Sequence, residues 1–335
     1  MNKKLILVLL MIAPFMSCDN TTSTNKTADE GSVQTENQPN TVKPKLLGPV
    51  FSSDTAYKYI EIQLAFGPRV CNSSAHTKCG DYLVAEFKKF TDRVMEQKAS
   101  AKNWDGKAIQ MRNIIASINP NASERVVIAA HWDSRPYADN DPNPANHNQA
   151  ILAADDGASG VAVMLELARI MKQQKPTIGI DFVCFDAEDL GKSEHGSESY
   201  CLGSQFWSRV KHVPGYTAKY GILLDMVGAH NAKFVFEGYS LEYAEPILRK
   251  VWDKATQLGF TNYFYYMQGG YITDDHFFVN KIAGIPMIDI IHHSEGTSSK
   301  FPAHWHTVND NINVINKSTL EAVGQTLSEV IYAEK

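Results

Sequence analysis

A strong charge of one sign is lacking: 32 Lys and Arg stand against 37 Asp and Glu, a formal net charge of −5. Nothing in that balance points to nucleic acid. The body has no long run of like charge, so no electrostatic partner is implied, and no internal repeat is visible. Cysteine is scarce, five in 335 residues, and none falls in the polar clusters that stand out below, so a thiolate metal site is not indicated. Long hydrophobic runs are missing too. The run from Leu5 to Met16 is too short to span a membrane as a mature helix.

What is present fits a secreted or envelope globular enzyme. The chain is long enough for one large α/β domain with a full core, and 44% of its residues are hydrophobic. At the N-terminus Lys3 and Lys4 precede the short apolar run, and Ser17-Cys18 follows it. This is a targeting segment, not a structural helix. A small residue followed by Cys resembles a bacterial lipoprotein processing site; an ordinary secretory peptide is the alternative. The organisation read here is a signal peptide over 1–17, a polar tether over 18–49 carrying a lipid on Cys18, and a catalytic domain over 50–335. Between Asp19 and Asn40 Val33 is the only large apolar residue, too little to build a packed core. The expected location is the bacterial cell envelope, periplasmic or membrane-anchored, and the expected state is a monomer.

Export permits disulfides. Cys71 and Cys79 lie eight apart in a polar stretch ahead of a helix expected over Tyr82 to Val94, and a local disulfide is expected between them. Cys184 sits inside an apolar run and reads as a buried thiol; Cys201 reads as free.

Apolar runs at Gln110–Ile118 and Val126–Ala130 flank the turn signal Asn119-Pro120-Asn121, which predicts a hairpin. Helical patterns cover Gly157–Gln173, Gly203–Val210, Leu241–Leu258 and Ser318–Ala333. Strand patterns fall between them at Ile178–Phe185, Gly221–Met226, Phe234–Glu237 and Pro286–Ile291. Alternation of this kind predicts a single α/β domain, a mixed and largely parallel sheet with helices on both faces.

The chemistry-bearing residues cluster where apolar runs end. Glu188 and Asp189 follow Ile178–Phe185; His131-Trp-Asp133 ends another run; Asp155-Asp156-Gly-Ala-Ser-Gly opens a helix; Asp225 ends a third run; Trp305-His306-Thr307 precedes the last helix. In open α/β sheets the site lies beyond the carboxyl ends of the strands, so these groups are expected on one rim. Histidine with carboxylates suits zinc in an open catalytic site. Adjacent Glu188 and Asp189 suit a division of labour, with one carboxylate on metal and its neighbour moving protons.

In order and context these residues resemble the zinc aminopeptidase fold family, over most of the chain from Gln63-Leu-Ala-Phe-Gly-Pro-Arg69 onward. Within it the chain is most similar to the zinc-dependent glutaminyl cyclases of bacterial, Bacteroidetes-like, and animal type. The segments that carry this are His131-Trp-Asp-Ser-Arg-Pro136, Leu223-Leu-Asp-Met-Val-Gly-Ala229, Asp274-Asp-His276 and Trp305-His306-Thr307. The resemblance implies one zinc per chain on Asp156, Asp189 and His306, a general acid/base at Glu188, supporting carboxylates at Asp225 and Asp274, and a substrate pocket walled by Trp305 and His131. It implies acyl transfer, forming pyroglutamate at the N-terminal glutamine of peptides or proteins and releasing ammonia. Three departures stand out. Asp189 replaces a Glu, Ile288-Asp289 falls about where animal enzymes have a histidine, and Lys192–Ser199 replaces a loop that carries a pocket tryptophan.

Two other functions fit the same residues. In a dinuclear zinc aminopeptidase Asp156 bridges two metals, and His131 and Asp225 hold the second. A surface lipoprotein that only binds peptides is the third reading, which intact ligands and Glu188 argue against. Bland roles are expected elsewhere: Asp155 as a helix cap or site support, Asp133 orienting His131, Trp132, Trp207 and Trp252 in packing, His276 in structure, and His147, His292, His293 and His304 at the surface.

Overall fold

The computed structural model describes residues 45–335 except Asp92. The signal segment, Cys18 and nearly all of the tether lie outside the described residues. The elements run α1 (Ser53–Ala65), α2 (Ser74–Lys88), β1 (Val94–Lys102), β2 (Ala108–Ile118), β3 (Arg125–His131), α3 (Ala158–Gln173), β4 (Gly179–Phe185) and α4 (Leu202–Arg209). They continue β5 (Tyr220–Asp225), β6 (Phe234–Phe236), α5 (Gly238–Gln257), β7 (Phe264–Gln268), α6 (Asp275–Phe278), β8 (Met287–Ile291) and α7 (Lys317–Ala333). The main sheet has the order β1-β2-β4-β3-β5-β8. Strands β4, β3, β5 and β8 are parallel, while β1 and β2 are antiparallel to their neighbours.

The sheet is covered on both faces, as its sequence predicts. Val126, Ile128, Ala130, Ile180, Phe182 and Cys184 pack into the larger core with residues of α1, α3, α5 and α7. The alternate residues Val127, Ala129, Val183 and Phe185 pack on the other side with Trp207 of α4. Parallel strands buried on both faces read as continuous apolar runs, which is why they were visible. The one charge inside β4, Asp181, is matched by Arg125 at 2.6 and 2.7 Å and by the hydroxyls of Ser117 and Tyr216, so it is buried but paired.

The expected hairpin of residues 110–118 with 126–130 does not form. β3 runs through α3 into β4, and a parallel pair needs such a crossover; β4 thereby inserts between β2 and β3. β2 instead forms a hairpin with β1 around Asn103–Lys107, where Asn103 Oδ1 accepts the backbone N–H groups of Asp105 and Lys107. The helix expected over Tyr82–Val94 starts earlier, at Ser74, because the Ser73 hydroxyl accepts the N–H of His76; Val94 already belongs to β1.

That shift removes the expected disulfide. Cys79 lies within α2 and faces the core, while Cys71, ahead of the helix, turns its thiol to Asp186 Oδ1 at 3.3 Å. Cys71, Cys79, Cys184 and Cys201 are all free and buried. Packing also begins ahead of residue 50, since the N–H groups of Leu47 and Gly48 donate to Glu329 of α7. Among the described residues no helix is long and apolar enough to cross a membrane.

Candidate active site

The carboxyl ends of β3, β4, β5 and β8 share one rim, where crossover loops place their side chains. β3 ends on His131 and β5 on Asp225. The loop into α3 delivers Asp155 and Asp156, and it approaches β3 closely at Gly157. There φ is +111°, and a Cβ would stand 2.8 Å from Asp133 O and 2.9 Å from His131 Cε1, so only glycine fits. After β4 the chain turns through Ala187 at φ 56°. Asp133 accepts the N–H groups of Glu188 at 3.0 Å and Asp189 at 3.2 Å, and fixes that turn. Asp310 does the same for Asp155 and Asp156 at 2.8 and 3.1 Å. The buried Arg69 guanidinium donates to the carbonyls of Trp132, Leu152 and Ala153 at 2.7–3.0 Å, clamping two of the loops.

Ligand-type atoms of Asp156, Asp189 and His306 lie within 4.8 Å of one another. His306 Nε2 is 3.2 Å from Asp189 Oδ1 and 3.7 Å from Asp156 Oδ2. Ligands at about 2.0–2.1 Å around a tetrahedral zinc stand roughly 3.4 Å apart, so the spacing fits. The buried oxygens Asp156 Oδ2 and Asp189 Oδ2 have no hydrogen-bond partner, which a cation would supply. Asp189 Oδ1 accepts from Arg135 Nη1 at 2.9 Å. Burial works against the Asp189 charge, but His306 and Arg135 hold its pKa at about 2, so it is ionised and ready to ligate. A second triad of His131, Asp156 and Asp225 shares Asp156. Here His131 Nε2 is 3.0 Å from Asp156 Oδ1 and 3.4 Å from Asp225 Oδ1.

Beside the first triad stands Glu188, partly exposed. Burial raises its carboxyl well above the usual range; Asp189, Asp274 and Asp275 add to the rise, and His131 opposes it. Burial likewise raises Asp225, Asp274, Asp275 and Asp289. So many carboxyls at one place cannot all ionise, and some retain protons with which to donate hydrogen bonds. Asp274 caps α6, accepting the N–H of Asp275 at 2.5 Å. His276, buried behind it, is held by Glu237 at 2.9 Å.

These groups open into a cavity of about 450 Å³ lined by Asp156, Glu188, Asp189, Asp225, Asp274, Trp305 and His306, among others. Trp305 stacks on His306 with ring centres 3.7 Å apart, so the indole is fixed as a wall. His131, expected as a pocket residue, does not line the cavity; it is buried behind Asp156 and Asp225, where their carboxylates and Asp133 surround its ring. His292, expected at the surface, is buried, and burial lowers its pKa to about 4. Asp155 is no helix cap: it accepts the N–H of Gly228 and pairs with His304 at 2.9 Å. Trp132, Trp207 and Trp252 are packing residues, fully buried.

Residues 113–331 match peptidase family M28. The chain belongs to peptidase family M28. A glutaminyl cyclase of Bacteroides thetaiotaomicron, solved with N-acetylhistamine bound, is 48% identical with a TM-score of 0.84, covering 86% of this chain and 100% of that one. A zinc-dependent exopeptidase of Parabacteroides distasonis is 49% identical with a TM-score of 0.84, covering 85% and 99%. The glutaminyl-peptide cyclotransferase of Bos taurus is 28% identical over 250 residues, 64% of each chain. The chain spans a little under two thirds of the length of the Bos taurus and Gloydius blomhoffii enzymes and 80% of that of Drosophila melanogaster.

Several features of this M28 site carried no visible signal in the sequence. Tyr200, Tyr271 and Phe301 line the cavity from three separate loops. Arg135 braces Asp189 at 2.9 Å across 54 residues of chain, a pairing that no local pattern marks. Arg69 and Asp310 act through backbone groups, and such contacts leave no pattern in composition or periodicity.

Proposed function

We propose that this protein is a glutaminyl-peptide cyclotransferase, which turns the N-terminal glutamine of peptides or proteins into pyroglutamate and releases ammonia. The observation that carries this reading is one pocket. In it a raised carboxyl, Glu188, lines the same cavity as the Asp156–Asp189–His306 triad, Asp274 and the fixed Trp305 wall. The similarity to bacterial glutaminyl cyclases supports it.

Ring closure forms a bond from the α-amine nitrogen to the side-chain amide carbon and breaks the bond from that carbon to the amide nitrogen. Asp156, Asp189 and His306 would hold one zinc, which when bound acts as a Lewis acid toward the amide oxygen. One metal is favoured because His131 Nε2 in the other triad is already bonded to Asp156 Oδ1 at 3.0 Å; unpartnered oxygens do not separate the two sets, since Asp225 Oδ1 lacks a partner as well. Glu188 takes a proton from the attacking amine and returns it to the departing nitrogen, a role suited to a carboxyl with a raised pKa. Asp274, when protonated, hydrogen-bonds the leaving nitrogen. Trp305 keeps water out and folds the side chain toward the amine, within about 3–3.5 Å of attack.

The second reading is a dinuclear aminopeptidase, favoured by the His131–Asp156–Asp225 triad. The deciding assay offers Gln-initiated and Leu-initiated peptides to the zinc-loaded protein. Ammonia from the first and no free leucine from the second is the expected result; efficient leucine release would replace the cyclase reading. The placement proposed is the cell envelope, with Cys18 lipidated and the enzyme monomeric. Cys18→Ser should then leave the membrane fraction, and light scattering should give the monomer mass.

A further inference from the structure

The turn that carries Glu188 is zipped onto the first turn of α4. Three successive backbone N–H groups, of Cys201, Leu202 and Gly203, donate to three carbonyls, of Glu188, Ala187 and Asp186, at 2.9, 3.0 and 2.9 Å. Gly203 permits this approach, because a Cβ there would stand 2.2 Å from Asp186 O. Both partners of the zip bend through left-handed backbone, Ala187 at φ 56° and Cys201 at φ 56°. A non-glycine residue adopts that conformation only where its surroundings impose it, and such positions cluster at functional sites. The consequence for Cys201 is specific: its fully buried thiol is aimed at Glu188 Oε1, 3.3 Å away. No side chain among the described residues bonds the other oxygen, Oε2.

Resting on the cyclotransferase reading, we propose that Cys201 is a positioning residue for proton transfer: its S–H donates to Glu188 Oε1, sets the carboxyl rotamer and leaves Oε2 for the substrate's amine and leaving nitrogen. The thiol is suited to donate because it stays protonated. Burial raises its pKa well above the ordinary value, and Glu188, Asp275 and Asp274 raise it further. A thiol in that state is neither a nucleophile nor a ready metal ligand, although Glu188, Cys201 and Asp274 lie close enough to suggest a ligand set. A single hydrogen bond from a weak donor such as a thiol is a modest contributor, so the effect is one of tuning.

The test compares zinc-loaded wild type, Cys201→Ala and Cys201→Ser on a Gln-initiated peptide. Cys201→Ala should lose about threefold to tenfold in kcat, with KM and zinc content unchanged. Cys201→Ser, which keeps a donor, should recover most of the rate. A thiol that served packing alone would leave Cys201→Ser no faster than Cys201→Ala. Full kcat in Cys201→Ala, or a Cys201→Ser no faster than Cys201→Ala, overturns the proposal. A readout independent of turnover is the infrared S–H band assigned by difference against Cys201→Ser. It should move to higher frequency in Glu188→Gln, and an unmoved band also overturns it. A wild type that releases no ammonia would instead defeat the cyclotransferase reading and leave the S–H band to decide the contact.

Discussion

Glu237→Gln removes a buried charge that the fold uses to hold the floor of the site. Glu237 caps α5 by accepting the N–H groups of Tyr239 and Ser240, and it also accepts from Ser240 Oγ, Ile272 N and His276. It therefore ties α5 to the loop that delivers Tyr271 and Asp274. Burial opposes its charge, but His276 and the backbone N–H groups of Ile272 and Tyr239 hold its pKa at about 2, against an ordinary 4.5. At 1.36 kcal/mol for each factor of ten, a carboxyl held that low contributes about 3 kcal/mol at neutral pH. The sign follows from the depressed value. The contribution is complete above about pH 4.5 and is lost as the pH falls toward about 2. The stability gap between wild type and Glu237→Gln should shrink by about 2 kcal/mol between pH 6 and pH 3. Guanidinium unfolding followed by tryptophan fluorescence measures it. A gap that stays constant over that range would mean Glu237 is not held ionised by these partners.

Glu188→Gln should keep zinc and the fold while its rate of ammonia release falls about 10²–10⁴-fold; near-wild-type turnover would remove Glu188 from proton transfer. Metal analysis should return one zinc per chain. Two equivalents, both required for activity, would move the function to the dinuclear aminopeptidase. Unfolded without reductant, protein carrying Cys18→Ser should show four titratable thiols, one for each free cysteine; two would mean that a disulfide had formed.

The sequence determined the elements whose burial is uniform and the order of the reactive side chains along the chain. β3, β4, β5 and β8 were legible because a strand covered on both faces must be apolar at every position. α3 and α7 were legible through helical spacing. His131, Glu188, Asp189 and Asp225 stood out because they end or follow apolar runs, where a polar residue needs a reason; Asp156 opens a helical pattern, His306 sits in the loop before the last helix, and Asp274 was visible only through the family resemblance. β1 escaped notice as an edge strand, with side chains alternating between partly buried and exposed and little apolar content.

Only the tertiary structure decided which strands pair. Local pattern reports burial, whereas neighbours are set by crossovers, and α3 puts β4 where a hairpin of β2 with β3 was expected. The state of Cys71 and Cys79 turned on a helix start eight residues early, which points one thiol into the core and the other at Asp186. His131 was legible as a polar strand end, but its place behind Asp156 depends on three loops meeting. Asp133, Asp310 and Arg69 bind backbone groups far away in the chain, and Cys201 reaches Glu188 through a zip of three N–H groups. A backbone hydrogen bond asks for no particular residue type in its partner, so such contacts are written in the fold and not in the sequence.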